Sequence, residues 1–336
     1  MRIDLGSGAV ERITCVYIGR IGDVIVATPF LRALRKRFPK ARIRLIVGAR
    51  AVQVLPLVPF VDERVALGRP GDLGAHVKLA LSLLREPCDL LIDLNSSFSK
   101  TSTMVARAAR ARLRLAFDKE KGPRVFNRTI AAPGDREHMS ERYARLAEAL
   151  GAPYGPDLEL RVPPEDDARA EALLSPLIGA HQGAFRVLVH PGNLTRVPSL
   201  WPADRLTELC RRLQDDPTLR LFFLAGPGEE ETAAAIASAL PKPAPILPQA
   251  PLAVVGGMLK RMNLLVGSLT STTHLAAALN VPTFAFYEGY TQTVWRPRGA
   301  RHGGTVSADW NHVQSTTVDQ AHAALKEHLG RLSPWV

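Results

Sequence analysis

Ile13-Thr14-Cys15-Val16-Tyr17-Ile18 runs directly into Gly19-Arg20-Ile21-Gly22-Asp23, after which apolar residues recur at helical spacing from Val24 to Phe38. A β-branched run without polar alternation reads as a strand buried on both faces, the mark of a parallel sheet. Pro39 ends the helix. Residues 42–47 and 89–94 read as the second and third strands, with a helix over 73–85 between them. This β-α-β alternation predicts a doubly wound α/β unit with helices on both faces. Residues 151–165 are rich in proline and glycine and mark the approach to a domain boundary. Beyond it the alternation starts again, with helices over 166–177, 203–214, 229–240 and 272–279 and strands over 186–190, 219–224, 264–266 and 283–286. Two such halves predict Rossmann-like domains facing across a cleft, with ligands at the carboxyl ends of both sheets.

At 336 residues, 46% hydrophobic and 22% charged, the chain is long enough for two buried cores, which excludes a mini-protein and a disordered chain. No stretch reaches the ~18 apolar residues of a membrane span, and the first residues lack the pattern of a secretory signal, so a cytoplasmic location is expected. Cys15, Cys88 and Cys210 stand far apart in or beside apolar runs and read as buried thiols, with no metal-ligand spacing. The net charge of +11 is lopsided: residues 1–165 carry 28 basic against 18 acidic residues, and residues 166–336 carry 15 against 14. A basic half suits an acidic substrate, an anionic membrane surface or nucleic acid, and equally the solvated surface of an arginine-rich chain.

Two glycines in the turn after the first strand let the backbone approach a ligand, yet G-x-x-G is neither a dinucleotide fingerprint nor a P-loop. Asp23 reads either as a helix cap or as a general base facing the cleft. In the second half, His190-Pro191-Gly192-Asn193 follows one strand, Gly226-Pro227-Gly228-Glu229 the next, and Gly267-Ser268-Leu269-Thr270-Ser271-Thr272-Thr273-His274 opens an Ala-rich helix. Hydroxyls and free N–H groups at a helix N-terminus suit phosphate, although the same residues serve as ordinary caps.

Together, Gly19-Arg20-Ile21-Gly22-Asp23-Val24, His190-Pro191-Gly192, Trp201-Pro202, Gly226-Pro227-Gly228-Glu229 and His274 through Thr283 resemble the ADP-heptose lipopolysaccharide heptosyltransferases, glycosyltransferase family 9. The resemblance implies a GT-B fold: an acceptor-binding domain over 1–165, a nucleotide-sugar domain over 166–316, and a terminal helix in 317–336 that crosses back to the first domain. It implies an inverting, metal-independent transferase without a cofactor, whose substrate is an ADP-linked sugar. Asp23 would be the base. His190, Gly192, Asn193, Arg196, Gly226, Glu229, Thr270, Ser271, Thr272 and His274 would hold the donor and its diphosphate; Arg20, Gly22, Asn95 and Lys100 would face the acceptor. A phosphorylated glycolipid acceptor would give the basic N-terminal half its cause, and peripheral contact with an anionic inner membrane would follow from the same field.

The chain also departs from the family. Ser199 stands where relatives carry Lys, leaving Arg196 as the nearby cation; Leu269-Thr270-Ser271 replaces Asp-Thr-Gly; Glu288-Gly289-Tyr290 replaces Gly-Pro-Thr. A different nucleotide sugar, a different acceptor, or a basic non-catalytic protein binding glycolipid or nucleic acid are the alternatives. Asp23 opposes nucleic acid, because a carboxylate at the centre of the basic half repels phosphates. Arg107 to Arg114 reads equally as a basic stretch that touches phosphates or an anionic leaflet and as a charged helix face and its exit, and His302, His312, His322 and His328 read as surface residues.

Overall fold

The computed structural model describes residues 3, 9–68, 71–119, 125–179, 183–194, 197 and 200–332. The chain divides into two compact units, Met1–Glu159 and Leu160–Val336. The division falls inside the proline- and glycine-rich segment, six residues before the expected limit at 165.

The first unit comprises β1 (Arg12–Tyr17), α1 (Ile21–Val26), α2 (Thr28–Arg37), β2 (Arg42–Val47), β3 (Glu63–Ala66), α3 (Leu73–Arg85), β4 (Cys88–Asp93), α4 (Lys100–Ala108), β5 (Ala111–Phe117), β6 (Arg128–Ile130) and α5 (Met139–Ala149). Its sheet runs β3-β2-β1-β4-β5-β6, every pair parallel. The central β1 is buried from Ile13 to Tyr17, as its unbroken apolar run requires. The single helix expected over 24–38 is two helices. Pro29 has no N–H to continue the first, and Thr28 Oγ1 donates to Ile25 O (2.7 Å) at the break. The strand order reverses between β1 and β4, which opens a crevice at their carboxyl ends.

The structure divides Arg107 to Arg114 between a helix end and a strand that the sequence reading did not include. Helix α4 stops at Ala108, and 111–117 is a strand whose Leu113 and Leu115 are buried. Arg114 reaches back to donate from Nε to Ala106 O (3.0 Å) and from Nη2 to Ala109 O (2.7 Å), satisfying carbonyls at the end of α4.

The second unit comprises α6 (Pro164–Ile178), β7 (Phe185–His190), α7 (Ala203–Leu213), β8 (Leu219–Phe223), α8 (Glu230–Ser238), α9 (Leu252–Leu259), β9 (Leu264–Ser268), α10 (Ser271–Ala278), β10 (Thr283–Tyr287), α11 (Gly289–Val294), β11 (His302–Val306) and α12 (Val318–Leu332). Its parallel sheet runs β11-β10-β9-β7-β8 and reverses between β7 and β9. Trp201 fills its core, stacked on Phe286 at 4.1 Å, with Nε1 donating to Thr316 O (3.0 Å). The Trp-Pro pair therefore anchors the fold.

Helix α12 packs on α7, β10 and β11, and its Ala321, Leu325 and Leu332 join the core of the second unit. The surface reading of His328 is overturned. Its ring is fully buried, 5.9 Å from the ring of Phe284, over Gly303, where a Cβ would stand 2.5 Å from Nδ1. His302 is half-buried, its Nδ1 3.0 Å from Thr283 Oγ1, and burial with the nearby Arg301 pushes its pKa down to about 4. All three cysteines are free and buried, as expected.

Candidate active site

In the first unit the reversal point collects the residues after β1 and β4. Asp23 lies in the first turn of α1, half-buried, and its Oδ2 accepts the Arg20 N–H at 2.5 Å. A Cβ on Gly19 would stand 2.5 Å from that oxygen, so only glycine lets the carboxylate fold against the turn. Burial raises the Asp23 pKa from its ordinary value, against the lowering effects of the Arg20 N–H and charge. The carboxyl therefore does cap its helix, and at the same time is held desolvated at the sheet's carboxyl edge. Tyr17 and Tyr143, both buried, feel its charge; burial and then the Asp23 charge push the Tyr17 phenol well up.

Arg20 and Lys100 are exposed and Gly22 half-buried at the same edge. Asn95 is buried and its amide is fully engaged: Oδ1 accepts the Ile18 N–H (3.1 Å) and Nδ2 donates to Ile18 O (2.9 Å). It ties the ends of β1 and β4 together and so positions the turn that carries Asp23. Sequence reasoning missed three neighbours. Asp93, fully buried at the end of β4, accepts Lys119 Nζ (2.6 Å) and Ser102 Oγ (2.7 Å). Arg142 of α5 donates to Ser96 Oγ at 3.2 Å. An aspartate closing an apolar strand was the available signal for the first; nothing local marks Lys119 or Arg142.

In the second unit the reversal point gathers the donor-side candidates. His190 Nε2 lies 2.9 Å from Glu229 Oε2, and His190 Nδ1 lies 3.4 Å from Thr270 Oγ1. Glu229 also accepts the Gly226 N–H at 2.7 Å. Burial acts to raise the Glu229 pKa, but the His190 hydrogen bond and charge and the Gly226 N–H outweigh it, and the carboxyl sits below its ordinary value. Gly192 and Gly228 both adopt φ of +79°, and Asn193 Nδ2 donates to Gly228 O (3.4 Å), bridging the loops after β7 and β8. Thr270 caps α10 by accepting the Thr272 N–H at 3.3 Å, with Ser271 and Thr272 half-buried at the helix N-terminus and His274 buried one turn on. Arg196 and Ser199 lie outside the described residues.

Glycosyltransferase family 9 (heptosyltransferase) is the family whose model matches residues 76–323. The chain belongs to that family. It is 20% identical over 297 residues to lipopolysaccharide heptosyltransferase 3 of Escherichia coli (strain K12), covering 82% of each chain. A family 9 glycosyl transferase from Veillonella parvula DSM 2008 superposes with a TM-score of 0.85 at 19% identity, covering 98% of this chain and 99% of that one. An E. coli heptosyltransferase solved with ADP-2-deoxy-2-fluoro heptose gives a TM-score of 0.71 at 21% identity, covering 95% and 99%. The fold is thus GT-B and the chain a glycosyltransferase. Among the described residues of this transferase, no group of three or more His, Cys, Asp or Glu could hold a metal ion, and no helix is long and apolar enough to cross a membrane.

Proposed function

We propose that this glycosyltransferase moves heptose, or a closely related sugar, from an ADP-linked donor to the inner core of a lipopolysaccharide, with inversion and without a metal. The observation that carries the reading is Asp23, a desolvated carboxylate fixed by the Gly19–Arg20 turn at the reversal point of the first sheet. A carboxylate with a raised pKa is a stronger base, suited to taking the acceptor hydroxyl's proton. As that proton passes to Asp23, the hydroxyl oxygen bonds to the anomeric carbon and the bond from that carbon to the diphosphate oxygen breaks, its electron pair leaving with ADP.

The leaving diphosphate needs donors and positive charge. The N-terminus of α10, with Ser271 and Thr272, supplies N–H and hydroxyl groups, Asn193 stands on the loop after β7, and Arg196, three residues further along the sequence, is the cation proposed to join them. The His190–Glu229 pair fixes the tautomer and orientation of a histidine at the same edge. The ADP analogue bound by the E. coli relative supports an adenine nucleotide. A second reading, a different nucleotide, is favoured by Leu269 in place of the family's Asp and by Glu288, a half-buried residue just before α11 whose carboxyl pKa is raised by burial.

Incubation with ADP-heptose and a heptose-free core oligosaccharide tests the proposal. The expected result is a mass gain of one heptose, an inverted anomeric configuration, and the same rate in EDTA. Failure with ADP-heptose but stabilisation by UDP, GDP, CMP or dTDP in thermal shift would replace the donor, since a ligand at ~100 times its dissociation constant adds about 2.7 kcal/mol.

A further inference from the structure

Helix α3 is apolar on two sides. Leu79 and Leu83 are buried against the first unit, while Leu73, Val77, Leu81 and Leu84 are exposed by 76%, 55%, 43% and 46%. At 100° per residue these four fall within an arc of about 80°, with Arg85 and Lys78 on its margin. A surface helix ordinarily turns polar residues to that side. The adjacent α4 continues the pattern: Lys100, Met104 and Arg107 share its outer face at i, i+4 and i+7, with Met104 62% exposed, and Phe98 just before the helix is 49% exposed. Neither 73–85 nor 100–108 contains an Asp or Glu.

We propose that this face, an apolar ridge of Leu73, Val77, Leu81, Leu84 and Met104 edged by Lys78, Arg85, Lys100 and Arg107, docks the protein on an anionic phospholipid surface. The charge selects the occupant. A second copy meeting face to face would set four cations against the same four, with no carboxylate on either helix to relieve them. Nucleic acid would place its phosphates on leucine and valine. A bilayer satisfies both features, because the ridge enters the boundary between headgroups and acyl chains while the lysines and arginines stay with anionic headgroups. The inference deepens the proposed function and rests on it for its purpose. Helix α4 begins at the end of the 95–99 loop, beside the turn that carries Asp23, so docking would hold the acceptor side of the first unit at the surface where a lipid-linked acceptor lies.

Co-sedimentation of the full chain with vesicles tests this. Binding is expected to phosphatidylglycerol–phosphatidylethanolamine vesicles at low salt, at least tenfold above phosphatidylcholine alone, and weaker in 0.5 M NaCl. Leu81→Gln with Leu84→Gln should lower it tenfold or more, and Lys78→Gln with Arg85→Gln should remove the preference for anionic lipid. Both variants should keep wild-type turnover on a deacylated, water-soluble core oligosaccharide. Equal binding of the leucine variant, a wild-type dimer that this variant dissociates, or a preference for RNA over vesicles would each overturn the proposal. Transfer to the soluble acceptor without vesicle binding sinks the docking face alone; vesicle binding without transfer to any acceptor sinks the proposed function alone.

Discussion

Asp23 carries two duties at one atom, since the oxygen that accepts the Arg20 N–H belongs to the proposed base. Asparagine keeps an acceptor for that N–H and cannot take a proton. Asp23→Asn should therefore leave the fold and donor affinity near wild type while lowering turnover by ~10²–10⁴. Steady-state rates and calorimetry with ADP check both halves, and wild-type turnover would remove the base assignment. The base works deprotonated and its pKa is raised, so the acid limb of kcat/KM should lie above the ordinary aspartate range of about 3.9. The place of Asp23 in the first turn of a helix was legible because a glycine turn follows a buried strand, while the same spacing left cap and base both open. Asn95 was legible only in place: its position after a strand could not reveal that both ends of its amide are spent on Ile18.

The elements read from sequence were those with long apolar runs. β1, β2 and the 73–85 helix lie where expected, while β3 and β6, short edge strands with exposed or half-buried residues, carry no such run. β5 was not read as a strand because its arginines alternate with leucines next to a helix, and tertiary pairing with β4 and β6 decides the matter. Helix α12 holds a comparable case in His328, which has no ligand spacing with carboxylates to draw it from the surface, and which close packing over Gly303 places inside. His302 and His328 both have pKa values pushed down, by burial first and then by Arg301 for His302 and Arg331 for His328. An unfolded histidine protonates near 6.5, so between pH 6.5 and about 4 the unfolded chain binds the extra proton and stability falls with falling pH. For His302 this amounts to about 3 kcal/mol across that window. Thermal melts from pH 7 to 4.5 should show the loss, shallower in His302→Gln; an identical slope in the two proteins would count against it.

Over the whole molecule the charge is as uneven as the sequence states, with the basic excess in the half that carries Asp23. If that excess serves a phosphorylated acceptor, raising salt to ~0.5 M should raise the acceptor KM far more than the donor KM, because screening weakens long-range attraction. Equal sensitivity would detach the charge from the acceptor. The two-unit α/β plan was legible because both halves repeat the strand-helix alternation, and its boundary because proline and glycine cluster there.

The three buried thiols turn the protein into its own stopwatch. Burial pushes the Cys210 thiol up to about 12 and those of Cys15 and Cys88 upward as well, so almost no thiolate exists to react while the chain is folded. Cys15 and Cys88 sit in the first unit and Cys210 in the second. Brief iodoacetamide pulses at increasing urea, followed by peptide mass analysis, should leave the native chain untouched and then mark each unit as it opens. Simultaneous labelling would reveal one cooperative molecule, staggered labelling two halves that melt on separate schedules, and rapid labelling of Cys15 without urea would mean that β1 is far looser than its burial requires.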